Sequence, residues 1–250
     1  MSGRSKTGGG RPRTIGASVA TCAKARAGAG VVRIVAGRWR RTPIVVLQRD
    51  GLRPTPERVR ETVFDWLAHL VGPLDGAEVL DMFAGSGAMG FEAASRGAKT
   101  LFIDRDPAAV GKIEETIKKL CADDVCRAVA GDAFAVLSRE PGPYDFIVID
   151  PPYADERQLD ALSRAKEVLA PNGLLYVEHP DAPLAQTDLD RLGLVAVRSA
   201  RAGQVVYALL AHAGGALAKE AKPWKEKLSK VERAKLRRMQ LAEADAGEAE

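Results

Sequence analysis

The chain has 250 residues, 46% hydrophobic and 28% charged, a balance expected of one folded domain with appendages or of two small domains, and not of a disordered or fibrous chain. No apolar run is long enough to span a bilayer and no signal-peptide core is present, while three cysteines without CxxC spacing argue for reduced thiols of a cytosolic compartment and against a zinc site or disulfide framework. The net charge of +4 hides a polarisation: residues 1–60 hold 14 Lys/Arg against 2 Asp/Glu, and residues 61–210 hold 14 against 24, so a polyanionic partner is expected at the front of the chain.

Residues 1–30 are rich in Gly, Ala, Ser and cations without periodicity and are expected to be a disordered basic tail; their lack of acids also fits an organellar transit peptide. Order is expected from Val31. Val31–Ala36 and Pro43–Leu47 read as strands of a β-hairpin whose tip, Gly37-Arg38-Trp39-Arg40-Arg41, offers cations and one indole. Together with Arg33, Arg53, Arg58 and Arg60, this tip suits a phosphate backbone and an unstacked base. Thr55 is a natural N-cap and Pro56 a natural first residue of a helix whose apolar face is Val59, Val63, Trp66, Leu67 and Leu70, with Arg58 and Arg60 off that face. Gly72-Pro73 ends it.

From Glu78 strands and helices alternate. Glu78–Phe83, Thr100–Ile103, Val125–Ala130, Phe146–Ile149 and Leu174–Val177 read as strands, with helices near 88–96, 107–120, 132–139 and 155–170. Such alternation implies an α/β, Rossmann-like, doubly wound and mostly parallel sheet. Leu192–Ser199 and Val205–Leu210, joined by Ala202-Gly203, close it as an antiparallel edge hairpin and bring the count to seven strands. The expected division is a hairpin-and-helix extension at 31–72, a catalytic domain at 73–210 and a charged helical or disordered tail at 211–250.

The chemistry gathers at strand ends. Asp81-Met82-Phe83-Ala84-Gly85-Ser86-Gly87 follows a strand and opens a helix, the context in which a glycine loop cradles an adenosine cofactor. Asp81, before the first glycine, could meet an ammonium, which favours S-adenosylmethionine over a dinucleotide. Asp104 ends the second strand, where an acid receives ribose hydroxyls, and Asp132-Ala133 follows the third, where an adenine amino group could be read. The fourth strand stops at Asp150-Pro151-Pro152-Tyr153, a stiff mount carrying one acceptor and one stacking face.

These residues resemble a known family. Asp-Pro-Pro-Tyr after a glycine loop is similar to methyltransferases acting on exocyclic nitrogens of bases. Val32-Arg33-Ile34-Val35-Ala36-Gly37, Gly51-Leu52-Arg53-Pro54-Thr55, Arg58-Val59-Arg60-Glu61-Thr62, Phe83-Ala84-Gly85-Ser86-Gly87 and Ala202-Gly203-Gln204-Val205 more closely resemble the RsmD family. The resemblance implies S-adenosylmethionine-dependent methylation of N2 of one guanine in 16S rRNA by a class I methyltransferase, with the RNA free or within the assembled small subunit, no membrane partner, and a cytoplasmic monomer. In that reading Asp150 and the Pro151 carbonyl accept the two amine protons and Tyr153 stacks on the flipped base. Alternatives are an adenine-N6 methyltransferase using the same tetrapeptide, a nucleotide-dependent oxidoreductase, which leaves the tetrapeptide unexplained, and a catalytically idle RNA-binding factor, whose mark would be a broken loop or tetrapeptide.

Overall fold

The computed structural model describes residues 29–47, 55–140, 142–151, 157–180 and 183–222. The expected N-terminal tail to residue 28, most of the expected C-terminal tail, Arg53 and Tyr153 lie outside these residues.

Two short strands, β1 (Ala29–Arg33) and β2 (Pro43–Leu47), form an antiparallel hairpin in register Val31↔Val45. The helix α1 (Glu57–Val71) follows. Then come β3 (Glu78–Asp81), α2 (Ala88–Ser95), β4 (Lys99–Asp104), α3 (Pro107–Leu120), β5 (Cys126–Ala130), α4 (Ala133–Leu137), β6 (Tyr144–Ile149), α5 (Gln158–Glu167), β7 (Leu169–Pro180), α6 (Gln186–Leu192), β8 (Leu194–Ala202) and β9 (Val205–His212). The seven strands from β3 onward make one sheet of order β5-β4-β3-β6-β7-β9-β8. β5, β4, β3, β6 and β7 are parallel, and β9 lies antiparallel between β7 and β8. The fold is the expected Rossmann-like sheet with an antiparallel edge hairpin.

Apolar side chains on both faces of the parallel strands bury the sheet between helices. On one face Leu80, Ile147, Ile149, Leu175 and Val177 pack with α4, α5 and α6. On the other, Val79, Phe146, Val148, Leu174 and Tyr176 pack under Val59, Val63, Phe64 and Leu67 of α1. A third cluster joins the hairpin to the sheet edge, through Ile34, Trp39 and Ile44 against Phe91, Phe102, Ile113 and Ile117.

Three local expectations change. Pro56 rather than Thr55 occupies the N-cap of α1, and no side chain caps that end, because the Thr55 hydroxyl donates to Glu178 instead. The sequence pattern missed α6, and the helix expected over 155–170 stops at Glu167, since β7 already starts at Leu169 and pairs with Tyr144 before its bulge. The sheet and its packing run past residue 210: β9 extends to His212, and a short 3-10 helix (Ala216–Glu220) packs Leu217 on the sheet while Arg198 pairs with Glu220 at 3.6 Å.

Candidate active site

Strand order reverses between β3 and β6: β4 and β5 add on one side, β7 on the other. Ligands of open α/β sheets bind at the carboxyl ends beside such a switch point. The period of two along a strand decides which side chains meet there. On the α1 face the apolar rows are Val79 on β3, Phe146 and Val148 on β6, and Leu174 and Tyr176 on β7. Two residues further each row turns acidic, at Asp81, Asp150 and Glu178. The register puts Glu178 beside Asp150, one step beyond Ile149 opposite Val177, and Asp81 two residues behind them, opposite Val148, which itself faces Tyr176.

The glycine loop leaves β3 between these acids and α2. Gly85 and Gly87 have φ of 52° and 73°, the left-handed region that L side chains resist. A Cβ on Gly87 would stand 2.9 Å from the Phe91 ring and 3.2 Å from Phe102, so the close approach also requires glycine. Gly90, three residues on, lets α2 lie against β4: a Cβ there would meet Phe102 at 2.3 Å. The loop is pinned by Ala84 N–H donating to the Ile103 carbonyl at 2.9 Å and Gly85 N–H donating to Asp104 Oδ2 at 2.7 Å. Asp81 Oδ2 accepts from Gly90 N–H at 3.0 Å. Backbone held this tightly around small residues, with carboxylates at both flanks, fits a ligand bearing an ammonium and a ribose.

Asp104 and Asp132 stand at the ends of β4 and β5 as expected, and each also holds local structure. Asp104 Oδ1 accepts from Asp106 N–H at 2.9 Å. Asp132 caps α4 through Phe134 N–H at 3.0 Å and Ala135 N–H at 3.2 Å, and its other oxygen pairs with Arg157 at 3.2 Å. The Arg157 guanidinium covers the Phe134 ring at 4.7 Å. Phe83 is half-buried, Ala84 and Ala133 are buried, and Ser86 is half-buried in the loop.

Asp150 is half-buried and Pro151 buried. Burial, then the neighbouring Glu178 and Asp81 carboxylates, push the Asp150 carboxyl well above its ordinary range. Asp81, 2% exposed, is pushed up to about 7 by burial, with the Gly90 amide pulling it down and Asp104 adding to the rise. Glu178 takes the Tyr176 hydroxyl at 2.6 Å and the Thr55 hydroxyl at 2.9 Å on Oε1. Sequence reasoning missed Glu178 although the signal was there: it is the acid directly after the strand read as Leu174–Val177, as Asp150 is after Ile149.

The N-terminal cations divide. Arg33, Arg38, Arg40, Arg41 and Arg58 are exposed. Arg60, expected off the apolar face and free for RNA, is 1% exposed. Its guanidinium donates to Glu92 Oε1 at 3.2 Å and to the Thr55 and Arg33 carbonyls at 2.6 Å each. Trp39 is buried in the third cluster, with Arg38 over its ring at 4.4 Å, so the indole offers no free stacking face. Ser95, at the end of α2, explains this inward turn: its carbonyl accepts Arg38 N–H at 2.8 Å, and its hydroxyl accepts Trp39 N–H at 3.0 Å and donates to the Ala36 carbonyl at 2.6 Å. Thr55 is likewise buried, facing Glu178 rather than solvent.

Among the described residues no group of three or more His, Cys, Asp or Glu is arranged to hold a metal ion, and no helix is long and apolar enough to cross a membrane.

A family profile described as Conserved hypothetical protein 95 matches residues 32–211. A Haemophilus influenzae protein named Ribosomal RNA small subunit methyltransferase D is 37% identical over 162 residues, 62% of this chain and 82% of that protein. Its namesake in Escherichia coli K12 is 37% identical over 154 residues, 60% and 76% of the two chains. The solved structure of a Haemophilus influenzae protein described as a "putative methylase" superposes with a TM-score of 0.60 at 31% identity, covering 73% of this chain and 99% of that one.

Proposed function

The chain belongs to the Conserved hypothetical protein 95 family, the RsmD family that its motifs resemble, and from that premise we propose how its site works. The protein is an S-adenosylmethionine-dependent rRNA methyltransferase that acts on the exocyclic N2 of a guanine in 16S rRNA. The observation that carries this reading is the position of Asp150-Pro151 at the carboxyl end of β6, one strand from the glycine loop, at the reversal of strand order.

The cofactor's place is residues 83–87 with Asp81, Asp104, Asp132 and Ala133: Asp81 for the ammonium, Asp104 for the ribose hydroxyls, and Asp132-Ala133 for the adenine. When bound, S-adenosylmethionine supplies an electrophilic methyl group on a sulfonium. The guanine amine is a poor nucleophile because its lone pair is delocalised into the ring, and what it needs from the protein is orientation and an acceptor. Asp150 and the Pro151 carbonyl accept its two N–H protons, which turns the lone pair out of conjugation. Asp150, whose proton affinity is raised by burial and by Glu178, is suited to take the proton that nitrogen sheds as it gains its fourth bond. Tyr153, outside the described residues, is the proposed stacking face for the flipped base.

The exposed Arg33, Arg38, Arg40, Arg41 and Arg58, with Arg53 beyond the described segment, are the proposed phosphate contacts. We place the enzyme in the cytoplasm, as a monomer, with the small subunit as the form in which it meets its RNA. N2-methylguanosine in 16S rRNA from cells with and without the gene is the decisive comparison. Loss at one guanine, restored by the intact gene, is expected. An unchanged guanine profile with loss of N6-methyladenosine would overturn the reading.

A further inference from the structure

Glu178 is the acid of the cluster that meets the segment before α1, through Thr55. It closes the α1-facing row of β7, beside Asp150 in register, and it is 6% exposed. Its Oε1 accepts two hydroxyls, from Tyr176 on its own strand and from Thr55, 123 residues earlier in the chain. Its carbonyl accepts from Gln158 Nε2 at 2.5 Å, which ties the start of α5 to the same strand end. Thr55 in turn is the residue whose carbonyl Arg60 holds, in the network that reaches Arg33 and Val35 beside the hairpin. Two donors on one carboxylate oxygen fix the orientation of a side chain that would otherwise turn toward solvent. Nothing of this is needed for packing alone: an apolar residue would continue the row of Leu174 and Tyr176.

We propose that Glu178 is a positioning residue for methyl transfer, acting through Asp150, and that the Thr55 hydroxyl makes its placement depend on the docked N-terminal segment. The proposal rests on the reading of Asp150 as acceptor of the amine protons. Through its charge Glu178 raises the proton affinity of Asp150, and through its fixed orientation it keeps that carboxylate turned to the space above the strand ends. Among the described residues, the groups that face Asp150 are Glu178 and Tyr176 from β7 and Asp81 from β3, with Tyr207 of β9 behind Tyr176; His179 follows on the opposite side of β7. Removing one negative neighbour therefore moves the ionisation of Asp150 toward lower pH.

The test uses the full chain and unmethylated small subunits, with turnover followed across pH and S-adenosylhomocysteine affinity and melting temperature measured alongside. Glu178→Gln keeps an acceptor for both hydroxyls and removes the charge. It should lower kcat about tenfold and move the acidic limb of kcat down by about one pH unit, with cofactor affinity within about threefold of the parent, as expected when one close like charge is removed. A kcat and acidic limb matching the parent would overturn the proposal. If Glu178→Gln does not fold, Thr55→Val and Thr55→Ser decide: a kcat loss in the first that the second restores supports it, and equal activity in both overturns it. Asp150→Asn separates the two levels. If it remains active, the reading of Asp150 fails as well; if it is dead while Glu178→Gln is unaffected, only the role of Glu178 falls.

Discussion

Glu92 on α2 and the three acids at the strand ends, Asp81, Asp150 and Glu178, are treated in opposite ways. Glu92 on α2 is 0% exposed and receives Arg60 Nε at 3.2 Å, Arg96 Nη1 at 2.5 Å and the Val35 amide at 2.7 Å. Every donor comes from a different place, and together they bind hairpin, α1 and α2 into one body. Asp81, Asp150 and Glu178 instead crowd like charges at one edge, with the amide of Gly90 and two hydroxyls as donors. Burial raises the proton affinity of Asp81 and Asp150, and their acidic neighbours raise it further. A buried ion pair with its hydrogen bonds made is structural; crowded acids are costly unless a ligand supplies the missing positive charge. The contrast separates the residues that hold this enzyme together from those proposed to act.

The sharpest break of that distinction is to exchange the consequences. Glu92→Ala leaves Arg60 buried without its counter-ion, so stability should fall by roughly 3–5 kcal/mol, read as a lowered denaturant midpoint. Asp150→Ala should do the reverse: turnover falls by about 100-fold or more while the midpoint and S-adenosylhomocysteine affinity stay near the parent. A turnover loss below about tenfold would remove Asp150 from the role of proton acceptor.

A third effect is graded by pH. The Asp81 carboxyl titrates at about 7, so the ligand-free protein holds its proton below that pH. A group whose folded pKa is raised contributes stability that is present below the ordinary carboxylate range and lost as pH rises through about 7. Ligand-free stability should therefore decline from about pH 4 to about pH 7, and the slope should flatten in Asp81→Asn. At the ammonium contact proposed for Asp81, binding runs the other way, because an ammonium needs the ionised carboxylate. S-adenosylhomocysteine affinity should weaken by up to about tenfold per pH unit below 7 in the parent and be nearly level in Asp81→Asn, as calorimetry would show.

The sheet and glycine loop were legible because each signal there is local. From Val79 to Gly87 an apolar run, an acid at the strand end and glycines at positive φ lie within ten residues, and from Phe146 to Asp150 an apolar run meets its acid within five. Arg60 was not legible as a strut, since its partner Glu92 is 32 residues away and charge by itself reads as exposure. A weak trace existed: Arg60, Phe64 and Leu67 form a second row beside Val59 and Val63, and all five are buried. Trp39 misled for the same reason. An indole among arginines suits a base, yet the hydroxyl of Ser95, 56 residues on, turns that segment inward. The third strand end divides: the cap that Asp132 forms on the Phe134 and Ala135 amides is local, as an acid before a helix leads one to expect, while its ion pair with Arg157, 25 residues on, leaves no local pattern to foresee it.

The smallest expected effect tests the cations left exposed. Arg33, Arg40 and Arg41 lie on the hairpin and its turn, and Arg33 Nη1 reaches no further than the Arg41 carbonyl at 3.1 Å. If they meet phosphates, each Arg→Ala change weakens RNA binding only a few-fold at moderate salt and lowers the slope of log affinity against log salt by about 0.7 per lost contact with single-stranded RNA. Melting temperature and S-adenosylhomocysteine affinity should not move, because none of the three is buried. Arg60→Ala is the control from the other class: it should destabilise the fold whatever the salt, since it takes one of three donors from the buried Glu92 carboxylate and leaves the Thr55 and Arg33 carbonyls without theirs. Hairpin variants with an unchanged salt slope would mean that the basic front of the chain binds elsewhere, through residues 1–28 or Arg58, and that the hairpin serves the same end as Arg60 and Glu92.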